Sequence, residues 1–319
     1  MTLLQEVQIE QGILLFVTYI TPELYEWFQD DYNWETTLRL VPLRQQLELR
    51  NMADHSAKVK RLITRLFLTL TLNYVIHNHE NDPWEPLIFS YNKYGKPSVP
   101  EASISFNSST SNHTICIVIN NIGNMAPIGV DLSHEQQKID KSTVLEDFKA
   151  IFHSSEITQL QGVPDTSLQY KMFNQFWTLK EAFTKYLGYG LNVDLGSFWF
   201  DLHNEQVIDV PNSATEFYRA IHNDKDQNRR NAVPFEISWH TNISVDTRNL
   251  QLPSTAREND LGNISLICQS GVLLNSSTKA HTLPVIISLI SDGRVSHQNR
   301  IHTFNYHIDL HRILSNNHA

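Results

Sequence analysis

The chain has little cysteine, no long apolar run and no excess of positive charge, and each shortage removes a class of function. Cys116 and Cys268 are the only two cysteines in 319 residues. Each lies in an apolar stretch, as reduced buried thiols do, so neither a disulfide framework nor a thiolate metal site is expected. A formal net charge of −9 argues against a broad nucleic-acid surface, which needs basic residues to displace counterions from phosphates. The N-terminal apolar run, Gly12 to Ile20, is far too short to span a bilayer and follows Glu6 and Glu10 rather than a basic segment. It reads as a buried strand, not as a signal or anchor, and a cytoplasmic location without membrane attachment is expected. Glycine-rich phosphate loops, coiled-coil heptads and internal repeats are also missing from the sequence.

What the chain does have is 41% hydrophobic residues, enough for one large or two medium cores. After the first strand, Thr21-Pro22-Glu23 opens a helix with proline early in it. Ala57 to Ile76 repeats its apolar residues at helical spacing, with Lys58, Lys60, Arg61 and Arg65 near its start, a solvated face when read one by one. Residues 91–97 (YNKYGKP) mark a turn, Ile104 to Asn107 and Thr114 to Asn120 two short strands, and residues 120–127 (NNIGNMAP) a break. Beyond the break come a strand at Ile128 to Leu132, a helical stretch around Ser142 to Phe152, and a strong helix from about Tyr170 to Leu187 ended by Gly188. Strands return from Phe198 to Val210. Residues 222–231 and 246–263 are polar and weakly periodic, hence surface loops or an insertion. A late strand follows at Leu283 to Ile290.

The Tyr170 helix carries the most chemistry. At about 100° per residue, Met172, Phe176, Leu179, Phe183 and Leu187 fall on one buried side. Lys180 projects about 40° from Phe176, inside that apolar sector, so it needs a partner or a ligand. Glu181 and Lys185 share the other flank, where an acid followed four residues later by a base is ordinarily an exposed ion pair. In the strand IGVDL, alternation sends Val130 and Leu132 to one face and Asp131 to the other, and Gly129 leaves room for close approach of another group. An acid in the middle of an apolar strand is costly unless paired or metal-bound.

Three blocks in order resemble a known family: GKPSVP (Gly95 to Pro100) with ISFNSSTS (Ile104 to Ser111), IGVDL (Ile128 to Leu132), and FWTLKEAFTKYLGYGL (Phe176 to Leu191). They are similar to the phosphopantetheinyl transferases of the larger, monomeric type, among them fungal and animal enzymes that activate aminoadipate reductase in lysine metabolism. The last block looks like the family's W-x-x-K-E-A/S-x-x-K signature. The resemblance implies an α/β fold of two similar, pseudo-twofold-related lobes, each a small three-stranded sheet on a long helix, with coenzyme A (CoA) in the cleft between them. The lobes would be residues 1–124 and 125–319, the second with a loop insertion at about 222–280. Asp131 and Glu181 would hold Mg²⁺ against the CoA pyrophosphate, and this hard ion favours such carboxylates. Glu181, as metal ligand or through a bound water, would be the general base, and Lys185 would stabilise or protonate the departing phosphate. Lys180, Lys96, Lys93 and Arg61 would offset the remaining charge, with Ser109 and Thr110 of the FNSSTS block also at CoA. The reaction implied moves the phosphopantetheine arm of CoA onto a serine of an apo carrier protein, acyl carrier or aminoadipate reductase type, with no nucleic-acid or membrane partner.

Two positions depart from the family pattern. Ser133 stands where bacterial members place a second strand acid, and Thr110 stands where the family carries a histidine that contacts a CoA phosphate. His113, nearby, is a substitute or an ordinary surface histidine. His134-Glu135 begins like a zinc-protease helix but lacks the second ligand, and His307 with His311 has helical i, i+4 spacing without a third ligand. A catalytically silent CoA or carrier-binding module is the alternative that Thr110 and Ser133 keep open, while joint retention of Asp131, Glu181 and Lys185 speaks for an enzyme.

Overall fold

The structure is a computed structural model that describes residues 4, 11–77, 82–123, 125–134, 143–208, 230–253, 265–273, 285–293 and 303–317. β1 (Ile13–Tyr19) leads into α1 (Pro22–Trp27), α2 (Asp31–Leu38), α3 (Leu43–Arg50) and the long α4 (His55–His77). Then come a small hairpin, β2 (Ser90–Tyr91) and β3 (Pro97–Ser98), and the strands β4 (Ser105–Ser111), β5 (Thr114–Asn120) and β6 (Ile128–His134). α5 (Val144–Asp147), α6 (Ser154–Gln161) and α7 (Thr166–Leu187) precede β7 (Trp199–Asp201), β8 (Gln206–Ile208), β9 (Ala232–Phe235), β10 (Trp239–Asp246), β11 (Leu266–Leu273), β12 (Val285–Asp292), β13 (Thr303–Ile308) and α8 (Leu310–Asn317).

The helix ends follow local chemistry. Thr21 caps α1 by accepting from Leu24 N, with Pro22 at the first helical turn, where a missing N–H costs nothing. Asp165 caps α7 by accepting from Leu168 N at 2.8 Å. α7 stops at Gly188, whose φ of 79° lies in the left-handed region that a glycine enters without strain.

Two sheets form the middle of the molecule, in the orders β4-β5-β1-β13-β9 and β6-β12-β11-β10-β7, with β8 paired to β10. Alternation along β1 explains why it is apolar throughout: Leu14 and Phe16 pack with Leu62, Leu66 and Phe67 of α4, while Ile13, Leu15 and Val17 meet Val130, Leu132, Ile287 and Leu289 of the second sheet. On the far side of that second sheet, α7 buries Phe176, Leu179 and Phe183 against Phe198, Phe200, Cys268 and Ile290. The layers therefore run helix, sheet, sheet, helix. Cys116 and Cys268 are free and buried, as expected. Among the described residues no helix is long and apolar enough to cross a membrane.

The mixed α/β class is as expected, but among the described residues the two large sheets have five and six strands rather than three. The insertion expected at 222–280 holds β9, β10 and β11, with its residues 222–229, 254–264 and 274–280 outside the described ones. Strands from both sides of 124/125 share the first sheet. β13 pairs in parallel with β1 and antiparallel with β9, and α8 buries Leu310, Ile313 and Leu314 in the α4 core. The helical stretch expected at Ser142 to Phe152 is reduced to the four residues of α5 with turns around it. His307 lies on β13 and His311 on α8, against Tyr19 and Trp27 respectively, so they share no helix face.

Candidate active site

β4 and β6 are end strands of different sheets, and the alternating polar residues of SFNSSTS join them. Ser105 Oγ donates to Ala126 O, Asn107 Oδ1 accepts from Val130 N at 3.0 Å, Ser109 Oγ accepts from Leu132 N at 3.2 Å, and Ser111 Oγ meets His134 Nδ1 at 2.7 Å. Period two puts all four on one face of β4, so the β6 main chain is satisfied by side chains where no neighbouring strand continues the ladder.

Asp131 projects from β6 toward α7, opposite to Val130 and Leu132, as its strand position requires. Gly129 permits this approach: a Cβ there would stand 2.0 Å from Ala182 O and 2.6 Å from Tyr186 N. Lys185 Nζ donates to Asp131 Oδ1 at 2.6 Å and to Val130 O at 3.2 Å, and Ser109 Oγ donates to the same carboxylate oxygen at 2.8 Å. Glu181 lies one helical turn before Lys185. Its Oε1 is buried and accepts no hydrogen bond from any of the described residues. Burial first, then the charge of Asp131, hold its carboxyl above the ordinary range, and Lys185 only partly opposes them.

The other expected contacts are distributed differently. Lys180 is wholly buried and bonded to Glu156 Oε2 at 2.9 Å, Leu195 O at 2.7 Å and Phe198 O at 2.7 Å, with the Phe198 ring centroid 4.4 Å away. Burial pushes its pKa down, yet three acceptors around one nitrogen need an ammonium. Its expected part in CoA binding is thus replaced by an internal ion pair. Lys96 Nζ is likewise surrounded by main-chain carbonyls, those of Ile128, Lys185 and Tyr186. Arg61 pairs with Glu48 of α3 at 2.6 Å on the exposed surface. Lys93 is exposed beside Tyr94. Thr110 stands opposite Ile115 across the β4–β5 ladder, on the α4 face, whereas Ser109 turns to Asp131.

Three basic residues that the sequence reads separately come together at the same end of the β4–β6 seam. Lys60 of α4 donates to Asn112 O at 3.1 Å. Burial and then the Lys60 charge depress His113, and burial, Lys60 and His113 depress His134. Among the described residues no acid contributes to either shift. The available signal was a lysine in the first turns of α4 and a histidine just after FNSSTS, but only the fold shows that they meet.

The sequence model of the 4′-phosphopantetheinyl transferase superfamily matches residues 127–237. The chain is 30% identical over 226 residues to the 4′-phosphopantetheinyl transferase gsp of Aneurinibacillus migulanus, across 68% of this chain and 87% of that protein. This chain belongs to the 4′-phosphopantetheinyl transferase superfamily. Among other superfamily members, it is 28% identical over 170 residues to the L-aminoadipate-semialdehyde dehydrogenase-phosphopantetheinyl transferase of Candida glabrata, across 53% of this chain and 63% of that one. It is 33% identical over 133 residues to the 4′-phosphopantetheinyl transferase Sfp of Bacillus subtilis, across 41% and 55%. The chain thus spans less than two thirds of the length of both these relatives.

The residues present fit the divalent ion that the superfamily implies. An unsatisfied buried carboxylate oxygen on Glu181, beside the Asp131 carboxylate, makes an oxygen-only donor pair short of positive charge, which suits Mg²⁺ better than a softer metal. Ser133 does not add to it: its Oγ donates to Asn174 Oδ1 on α7. Among the described residues no group of three or more His, Cys, Asp or Glu is placed to hold a metal.

Proposed function

We propose that the protein transfers the 4′-phosphopantetheine arm of CoA to the serine of an apo carrier domain. The observation that carries this reading is the orphaned Glu181 Oε1 beside an Asp131 carboxylate already held by Lys185 and Ser109. Asp131 and Glu181 would hold Mg²⁺, which when bound neutralises diphosphate charge and makes phosphorus more open to attack. Lys185, half-buried at the same carboxylate, offsets negative charge on the departing phosphate. Lys60 supplies a second positive charge for the remaining CoA phosphate, with the His113 and His134 rings beside it as hydrogen-bonding groups, the place expected for Thr110. The seryl oxygen forms a bond to the pantetheine-side phosphorus as the phosphoanhydride bond breaks. Adenosine 3′,5′-bisphosphate leaves with the bonding pair. Glu181 takes the seryl proton through a bound water.

The fungal relatives are named for aminoadipate-semialdehyde dehydrogenase, so the carrier domain of such a reductase is the first substrate to try, with a role in lysine biosynthesis. A monomeric enzyme of the cytoplasm completes the proposal. Incubation with CoA, Mg²⁺ and an apo carrier domain, read as gain of the phosphopantetheine mass, tests it. CoA binding without mass gain on reductase-type and acyl carriers alike would make the chain a silent binding module.

A further inference from the structure

The β2–β3 hairpin reaches the site from behind. Lys96 Nζ donates to Lys185 O at 2.7 Å, Tyr186 O at 3.1 Å and Ile128 O at 3.3 Å. These carbonyls belong to the two elements that bear the reactive groups: the last turn of α7, just past Glu181, and the first residue of β6, three before Asp131. The α7 carbonyls lie at the negative end of the helix dipole, where a cation is favourable. Three acceptors use all three N–H bonds of an ammonium, which leaves none for a phosphate oxygen.

The turn that carries Lys96 is itself built to aim it. Asn92 Oδ1 accepts from Tyr94 N and Lys96 N, each at 2.9 Å, and Gly95 takes a φ of 87° between them. Asn92 Nδ2 donates to Gly188 O at 2.8 Å, the residue that ends α7. A Cβ on Gly188 would lie 3.1 Å from Asn92 Nδ2 and 3.2 Å from Lys96 Cδ, so the glycine helix end is packed flat against this hairpin. Burial moves the Lys96 ammonium down to about 8, and among the described residues no charged side chain contributes.

We infer that Lys96 is a positioning residue: it fixes the spacing of α7 and β6, and with it the separation of Glu181 and Asp131, and touches no substrate. The inference rests on the transferase reading of the same carboxylates. It accounts for a lysine and an asparagine of the GKP turn in a way that a phosphate contact does not, since their polar atoms are taken by main chain.

Lys96→Met in the full chain tests it, read by thermal midpoint, Mg²⁺ affinity by calorimetry without CoA, and separate kcat and KM for CoA. Outer-shell residues of this kind shift metal affinity or activity by about 10- to 100-fold. The expected result is a loss of that size in Mg²⁺ affinity and kcat, with KM for CoA within about threefold of wild type. A rise in KM with kcat and Mg²⁺ affinity intact would make Lys96 a phosphate ligand and overturn the inference, as would a lower thermal midpoint with all three constants unchanged. Should Lys96→Met not fold, Asn92→Ala removes the hairpin's bond to Gly188 and is expected to lower the same two quantities less steeply; wild-type values there would overturn it equally. If the wild type transfers nothing to any carrier, the transferase reading falls, while the calorimetric Mg²⁺ comparison still decides Lys96.

Discussion

Lys180 and Lys185 both leave α7 to meet a carboxylate, and the two pairs differ in what surrounds them. Lys180 and Glu156 have side chains 0% exposed, and the groups around them are complete: two carbonyls on the lysine, the N–H groups of His153 and Phe200 on the glutamate. Lys185 and Asp131 are 25% and 9% exposed and stand beside a glutamate oxygen with no partner. A closed pair welds α6, α7 and β7 together. An open pair next to an unsatisfied acid retains unmet demand for positive charge, which is what a binding site for a cation and a phosphoanhydride needs. Five residues of helix separate a closed ion pair from an open one, and the surroundings tell them apart, not the residue types.

The largest effect that would test the contrast is on the closed pair. Lys180→Met leaves Glu156 charged and buried, and should cost about 3–5 kcal/mol in urea unfolding, with much of it recovered by adding Glu156→Gln. If Lys180→Met is instead neutral for stability and weakens CoA binding, the closed pair is the ligand site and the contrast collapses. On the open side, Asp131→Asn should lower transfer by about 100-fold or more while the thermal midpoint stays close to wild type. Retained turnover would remove Asp131 from the chemistry.

Glu181→Gln sharpens the comparison by sign. Because the folded carboxyl is raised above its usual 4.5, the native state binds more protons than the unfolded one between those two values, and stability falls as pH rises through that window. The glutamine removes this loss. It should stabilise the metal-free protein by about 1 kcal/mol above the window and by nothing at lower pH, while abolishing both transfer and the stabilisation that Mg²⁺ gives wild type. A destabilised Glu181→Gln would mean that the acid is already satisfied. The smallest effect is expected at Thr110. Thr110→His adds an imidazole on the face from which Lys60 reaches Asn112 O, so transfer should hold or rise by a few fold, mainly at mildly acidic pH where the ring is charged. Abolished transfer in a folded Thr110→His would exclude that face from phosphate binding.

Much of this arrangement was legible from the chain. β1, α4 and α7 announce themselves by long periodic apolar patterns with caps and breakers at their ends, and the facing of Asp131 away from Val130 and Leu132 follows from strand alternation alone. β9, β10 and β11 were not legible, because they lie in a region rich in polar segments and are held by ladders to other strands rather than by a local pattern. The Thr18 to Ile308 hydrogen bond, across a separation of 290 residues, is typical of what closes the first sheet. Pairing at such range leaves no local periodic mark beyond a few apolar residues.

The sequence by itself determined the long elements, the face on which each acid stands and the order of the motif blocks, since these depend on residues a few positions apart. The tertiary structure alone decided which cations remain for chemistry. Lys180, Lys96 and Arg61 read as equivalent phosphate contacts until Glu156, the α7 and β6 carbonyls and Glu48 are seen around them. Lys60, His113 and His134 read as unrelated until three elements bring them together. The physical reason is that a charge is available only where folding has not already satisfied it, and its partners come from wherever the chain returns.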